Sequence, residues 1–150
     1  SENDSGLNLG HARTKEQTEL MEKILADGVC PFCWEHFEKY HPKPIIKKTD
    51  WWIMTENMSP YDGSVIHYIF VYKDHTTLPK DISPEGFLEL KKLVDEVVEN
   101  ENVPGGSFLM RFGDTNYTGG SVEHLHAQLI VGGPKTEGAE KIKQKLGYKK

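Results

Sequence analysis

The sequence contains only two cysteines in 150 residues, which excludes a small secreted scaffold held by disulfides. The pair, Cys30 and Cys33 in "VCPFCWEH", has a spacing that suits metal binding or redox chemistry better than a structural cross-link. No apolar run approaches the ~20 residues of a membrane span. The N-terminal "SENDSGLNLG" is polar and acidic, without the basic-then-apolar order of a secretory signal, so the cytoplasm is the expected compartment. Basic charge is in short supply too. Eighteen Lys and Arg against 23 Asp and Glu leave a net charge of -5, which argues against nucleic-acid and membrane partners, since both need a basic field. A local basic pocket for one phosphate group stays compatible with that balance.

Repeats, low-complexity tracts and internal linkers are also missing. The chain has 37% hydrophobic and 27% charged residues, enough apolar material for one domain with a real core. Residues 1–13 show no apolar periodicity and are expected to form a disordered N-terminal segment, with 14–150 as a single domain. Thr14 and Gln17 form a capping-box pattern, and Leu20, Met21, Ile24 and Leu25 recur at helical spacing, predicting an additional N-terminal helix over 14–27.

"IIKKT", "WWIMTE" and "SVIHYIFVYK" are rich in β-branched and aromatic residues and predict three strands, with "DGS" at 62–64 as a hairpin turn. The clearest helix is "DISPEGFLELKKLVDEVVEN". Ser83 suits its N-cap, Pro84 its first position and Glu85 its positive end. Phe87, Leu90, Val94, Val97 and Val98 are expected to be its buried stripe. "SFLMRFG" and "SVEHLHAQLIV" predict two further strands, and the tail "GAEKIKQKLGYKK" either forms a short helix with Ile142 and Leu146 inward or frays. The expected fold class is therefore α+β, about five antiparallel strands with one long helix packed on them.

The last strand is unusual. Alternation puts His124, His126 and Gln128 on one face and Leu125, Ala127 and Leu129 on the other. Polar residues in register on a half-buried strand cost desolvation unless they are used. They follow Gly119, Gly120 and Ser121, and such a segment lets backbone amides and a hydroxyl approach an anion. A hydrogen-bonded edge histidine is the plainer reading of any one of them. For the cysteine pair three readings stay open at this level: a redox motif, two unconnected buried thiols, or half of a zinc site needing two more nitrogen or sulfur ligands.

"GGSVEHLHAQLIVGG" resembles the signature strand of the histidine triad (HIT) superfamily. Its H-x-H-x-Q form is similar to galactose-1-phosphate uridylyltransferase and the dinucleoside polyphosphate phosphorylases. "HYIFVYKDHTTLPKDISPEGFLEL" resembles the strand, loop and helix of the same superfamily, with Tyr72 where proline is often found. Together the blocks span about residues 28–133. The resemblance implies a HIT-like fold, with His126 as the nucleophile that attacks the α-phosphorus of a nucleotide. Gln128 replaces the third histidine, and its amide can hydrogen-bond a phosphate oxygen but cannot give a proton to a leaving group. Ser121 matches the position that contacts phosphate.

The same resemblance implies a structural zinc ion held by Cys30, Cys33, His75 and His124; a solvated loop position is the competing reading for His75. His36 and His41 are other possible ligands, and His67 is read as structural, with Ile66 in place of the superfamily's glycine. Asn57 in "ENMSP" resembles the ribose-binding element, a turn-forming asparagine being the alternative. Asn116 and Arg111 are candidates for ribose or phosphate contacts alongside Gly119 and Gly120. Trp51 and Trp52 face opposite sides of a strand, so at most one can stack on a base. The implied activity is a nucleotidyl hydrolase or transferase acting on nucleoside phosphate derivatives, dinucleoside polyphosphates included. The alternative is a zinc-stabilised nucleotide-binding module with little turnover. A homodimer is expected to complete the assembly, because the uridylyltransferases fuse two such domains and this chain has one.

Overall fold

A computed structural model describes residues 15–150; the expected disordered segment 1–13 and the Thr14 cap lie outside that range. In chain order the elements are α1 (Lys15–Asp27), α2 (Trp34–Tyr40), β1 (Ile45–Lys48), β2 (Trp52–Glu56), β3 (Ile66–Tyr72), α3 (Pro84–Asn100), β4 (Ser107–Arg111), the short α4 (Thr115–Thr118) and β5 (His126–Val131). The five strands form one sheet in the order β1-β2-β3-β5-β4, and every pairing is antiparallel. This is the α+β architecture expected from the sequence. The β2–β3 connection closes as a turn, with the Ser64 N–H donating to the Tyr61 carbonyl at 3.0 Å. Gly63 occupies its left-handed position at φ 82°, which "DGS" supplies without side-chain strain.

One face of the sheet carries the main core. Trp52, Met54, Phe70, Tyr72, Leu125, Ala127 and Leu129 pack there against Leu90, Leu93 and Val97 of α3. Ser83 caps α3 as expected, its Oγ accepting from the Gly86 N–H at 3.0 Å. The buried stripe is rotated from the expected one. Gly86, Leu90, Leu93 and Val97 face the sheet, whereas Phe87 and Val98 are exposed. The Gly86 carbonyl accepts from Trp52 Nε1 at 2.7 Å on this face. Trp52 is thus core, and Trp51 stacks on Tyr72; neither tryptophan lines the cavity described below.

The opposite face is shared. Phe37 of α2 covers Ile53, Ile69 and Val71, and Met21 and Ile24 of α1 pack with Tyr40. The remainder of that face, towards β5 and β4, is left for polar groups. Two boundaries differ from the sequence reading. β5 begins at His126, not at Ser121, because the segment before it turns to bond the β3–α3 loop, the Leu125 N–H donating to the Thr76 carbonyl at 2.8 Å. The tail forms no helix: residues 132–150 stay irregular, with Leu146 exposed. Its Lys145 carbonyl is engaged by Arg111, and Gly138 and Gly147 have positive φ, so helical bonding is pre-empted. No helix among the described residues is long and apolar enough to cross a membrane.

Candidate functional site: a four-ligand cluster beside a histidine-lined cavity

The "CPFC" segment lies between α1 and α2, against the loop that leads into β5. Cys30 Sγ is 3.5 Å from His124 Nδ1, and Cys33 Sγ is 3.3 Å from His75 Nδ1 and 3.8 Å from His124 Nδ1. The two Nδ1 atoms are 3.2 Å apart. All four ligand atoms lie within 4.8 Å of one another. A tetrahedron with Zn–N of about 2.05 Å and Zn–S of about 2.3 Å has N···N edges of about 3.3 Å and N···S edges of about 3.6 Å. The cluster matches those edges, so these four residues could bind a metal ion. The outer contacts suit it as well: His124 Nε2–H donates to the Tyr72 carbonyl at 2.8 Å, which leaves Nδ1 bare and aimed at the sulfurs.

Burial and the neighbouring sulfur push the Cys33 thiol up to about 12, and burial raises Cys30. That is opposite to the lowered thiolate pKa of a redox pair. A divalent cation binding here would displace these protons. His36 and His41 are not in the cluster. His36 lies beside Glu35 at 3.5 Å, and His41 Nε2 is 3.0 Å from Thr55 Oγ1. His75 is exposed and closes the cluster from the solvent side.

Two residues after His124, His126 turns its ring into a cavity of about 180 Å³. Its Nδ1–H donates to the main-chain carbonyl of His124 at 2.7 Å. A carbonyl only accepts, so Nδ1 is the protonated nitrogen and Nε2 has a free lone pair. Burial, with the Arg111 cation adding to it, holds the His126 imidazole down at about 4; it is neutral at physiological pH. The ring is set from the other side by Phe32, whose edge meets it at a centroid distance of 4.9 Å and 87°. Phe32 sits between the two cysteines, so the cysteine knuckle also shapes the cavity wall.

Gln128 lies next along β5, opposite Ile69 and Leu109. His67 occupies a diagonal position on β3, and its Nε2 is 2.6 Å from Gln128 Oε1. The Tyr61 main-chain N–H donates to His67 Nδ1 at 3.1 Å, so the His67 proton is on Nε2 and is donated to Gln128. The amide orientation of Gln128 follows: its oxygen is held by His67, and its NH2 group is the end left to face an acceptor. Asn57 Oδ1 accepts from the Ser59 N–H at 2.8 Å, and its Nδ2 lies 3.3 Å from His67 Nε2.

The cavity brings together Asn57, Arg111, Gly119, Gly120, Ser121, His126 and Gln128. Arg111 pairs directly across from His126, and its guanidinium holds Tyr61 Oη, the Thr118 carbonyl and the Lys145 carbonyl. Asn116 is not brought in. Asp114 caps α4 by accepting from the Asn116 N–H at 2.8 Å, and that turn leaves Asn116 exposed, outside the cavity wall. Several wall residues had no signal in the sequence. Leu20, Met21 and Ile24 come from α1, Phe32 from the knuckle, and Lys143 and Lys145 from the tail. The first three were legible only as core residues, and the lysines only as charge in a terminal segment.

No known family profile matches the sequence, and no curated protein is similar to it. Solved structures do match. A HIT family hydrolase from Clostridium thermocellum is 22% identical over 71% of this chain and 90% of its own, with a TM-score of 0.52. A hypothetical histidine triad nucleotide-binding protein from Sulfolobus tokodaii is 19% identical over 81% of this chain and 82% of its own, at 0.54. A Zn-bound histidine triad family protein from Mycobacterium smegmatis is 16% identical over 73% and 76%, at 0.51. Identities this low speak to backbone arrangement alone, and on that ground the chain has a histidine-triad-like fold.

Proposed function

We propose that this protein is a nucleotidyl hydrolase or transferase that acts on nucleoside phosphate derivatives through a covalent nucleotidyl-His126 intermediate. The observation that carries the reading is the 2.7 Å bond from His126 Nδ1–H to the His124 carbonyl, which leaves a neutral imidazole with its Nε2 lone pair at the cavity. In this reading Nε2 attacks the α-phosphorus, and the bond from phosphorus to the leaving group breaks as the N–P bond forms. Water, phosphate or another acceptor then takes the nucleotidyl group and frees His126. Gln128 donates its amide N–H to a phosphate oxygen, held in orientation by His67, and Ser121 with the Gly119–Gly120 backbone completes the phosphate cradle. Because Gln128 has no proton to give, the substrates favoured are those whose leaving group departs as a stable anion. Asn57 is assigned to the ribose, and the apolar wall of Leu20, Met21, Ile24 and Phe32 to the base.

In the same reading the metal at Cys30, Cys33, His75 and His124 is zinc. With four protein ligands it would be structural, fixing the segment that carries His126. A homodimer formed at the open edge of β4, where Phe108 is exposed, belongs to the same proposal. The test is to incubate the protein with labelled dinucleoside polyphosphates and nucleoside phosphoramidates and look for a covalent nucleotidyl adduct. The adduct is expected in the parent protein and absent in His126→Gly. Gln128 favours one second reading, a nucleotide-binding module with little turnover; tight nucleotide binding without adduct or turnover would establish it and defeat the first.

A further inference from the structure

The cavity wall contains three cations, Arg111, Lys143 and Lys145, and no Asp or Glu. In a chain of net charge -5 that concentration of one sign is a local feature that needs a use. Two of the three come from the C-terminal segment, which follows β5 and returns to line the cavity. Its path is fixed by close packing. Lys145 Cβ lies 3.1 Å from where a Gly119 Cβ would be, and a Cβ at Gly147 would fall 2.7 Å from the Tyr117 carbonyl oxygen. At the far end, Ile142 Cδ1 lies 3.1 Å from the corresponding point of Gly132. Glycine at 119, 132 and 147 is what lets the segment lie flat on the fold.

Arg111 is the latch. Its Nη2 and Nε donate to the Lys145 carbonyl at 2.8 and 3.3 Å, which spends its donors on the tail rather than on a ligand. The lysine side chains are in a different condition. Among the described residues, neither Lys143 nor Lys145 forms an ion pair with a carboxylate. Between them Gln144 Nε2 is buried without a hydrogen-bond partner, so the docked segment also holds an unmet donor.

We propose that this segment supplies a binding site for the phosphates beyond the one facing His126, with Lys143 and Lys145 contacting a polyphosphate chain and Arg111 holding the segment in place. This rests on the nucleotide reading of the cavity and narrows it to substrates with several linked phosphates, such as dinucleoside polyphosphates. The chemistry agrees with Gln128: a polyphosphate leaves as a stabilised anion, and ammonium groups over the departing phosphates offset its growing charge without transferring a proton.

Inorganic tripolyphosphate is the first probe, because its binding does not depend on turnover. Calorimetric titration of the full chain should show binding that weakens at least about tenfold in Lys143→Ala/Lys145→Ala, the loss expected for charge-assisted hydrogen bonds. Lys149→Ala/Lys150→Ala, with the same change in net charge on residues outside the cavity, should bind like the parent. Equal affinity of the parent and the Lys143/Lys145 variant, or equal weakening in both variants, overturns the proposal. In the kinetic arm, KM for a dinucleoside polyphosphate should rise in the Lys143/Lys145 variant while KM for a nucleoside phosphoramidate stays within about twofold. A parallel rise for both substrates overturns it as well. Absence of any adduct in the parent would sink the nucleotidyl-histidine reading yet leave the tripolyphosphate result standing.

Discussion

Replacing His67 by leucine tests how Gln128 is held. The substitution removes the donor to Gln128 Oε1 at 2.6 Å and the acceptor of the Tyr61 N–H at 3.1 Å. His67 and Gln128 are 4% and 5% exposed, so water cannot readily replace either partner. A stranded buried polar group costs about 1–3 kcal/mol, and two of them make His67→Leu cost about 2–6 kcal/mol. Gln128→Leu strands only His67 Nε2–H, at about 1–3 kcal/mol before the gain from burying leucine. In the double variant the 2.6 Å pair disappears together, and only the Tyr61 N–H is left without its acceptor. The double variant should therefore be more stable than the sum of the singles predicts, by the two ends of the pair that no longer stand unpaired, about 2–6 kcal/mol. Urea unfolding of the four proteins reads this directly, provided the slopes agree. Additivity to within about 0.5 kcal/mol would refute the assigned tautomer and the pairing with it.

Three further outcomes are expected. The purified protein should contain one tightly bound zinc per chain, lost in Cys30→Ser; if the site is saturated a thousandfold above its Kd, chelation removes about 4 kcal/mol and lowers Tm by about 8–16 °C, and a metal-free protein with chelator-insensitive melting would exclude the site. Burial holds His41 down at about 4, below its ordinary 6.5, so the unfolded chain binds the proton first and the fold loses stability as pH falls from about 6.5 towards 4. The ring is only partly buried, so solvent screening limits the loss to about 1–2 kcal/mol, and His41→Asn should flatten that part of the stability profile relative to the parent. Leu93→Ala should cost about 2–5 kcal/mol, whereas Phe87→Ala, on the exposed side of α3, should cost under about 1 kcal/mol; comparable losses would mean the helix is rotated back to the stripe expected from sequence.

That rotation shows where sequence reasoning reached its limit. Apolar spacing on α3 fits two neighbouring faces, and Phe87 outweighs Gly86 in any hydrophobicity argument. The observed face is the one where Trp52 Nε1 donates to the Gly86 carbonyl at 2.7 Å, and such a contact is not encoded in periodicity. Cys30 and Cys33 stood out by their spacing alone, which left redox and metal readings open; His75 and His124 were assigned to the cluster only through the resemblance to the histidine triad superfamily, and the fold brings all four ligand atoms within 4.8 Å of one another. Much of the cavity wall was not legible. Leu20, Met21 and Ile24 look like ordinary core on α1, and the tail lysines look like solvated charge, until tertiary packing brings both ends of the chain to one opening. Asn116 lies outside the cavity wall, because the capped α4 turn leaves it exposed.

His124 joins the two halves of the site through three different groups. Its Nδ1 is directed at the cysteine sulfurs, its Nε2–H is held by the Tyr72 carbonyl, and its own main-chain carbonyl accepts from His126 Nδ1. A ring fixed at both nitrogens restricts χ1 and χ2, and through them the backbone that presents the carbonyl. The tautomer of His126 is thus set by a residue whose side chain is occupied elsewhere, and a rotation of His124 would move the acceptor that keeps Nε2 bare. Phe32 makes the same connection from the cysteine side, since it lies between Cys30 and Cys33 and meets the His126 ring edge-on. A metal bound by these four residues would act on His126 by position alone, through one carbonyl and one aromatic edge. Disrupting the cluster should therefore impair His126 even where the sheet stays folded.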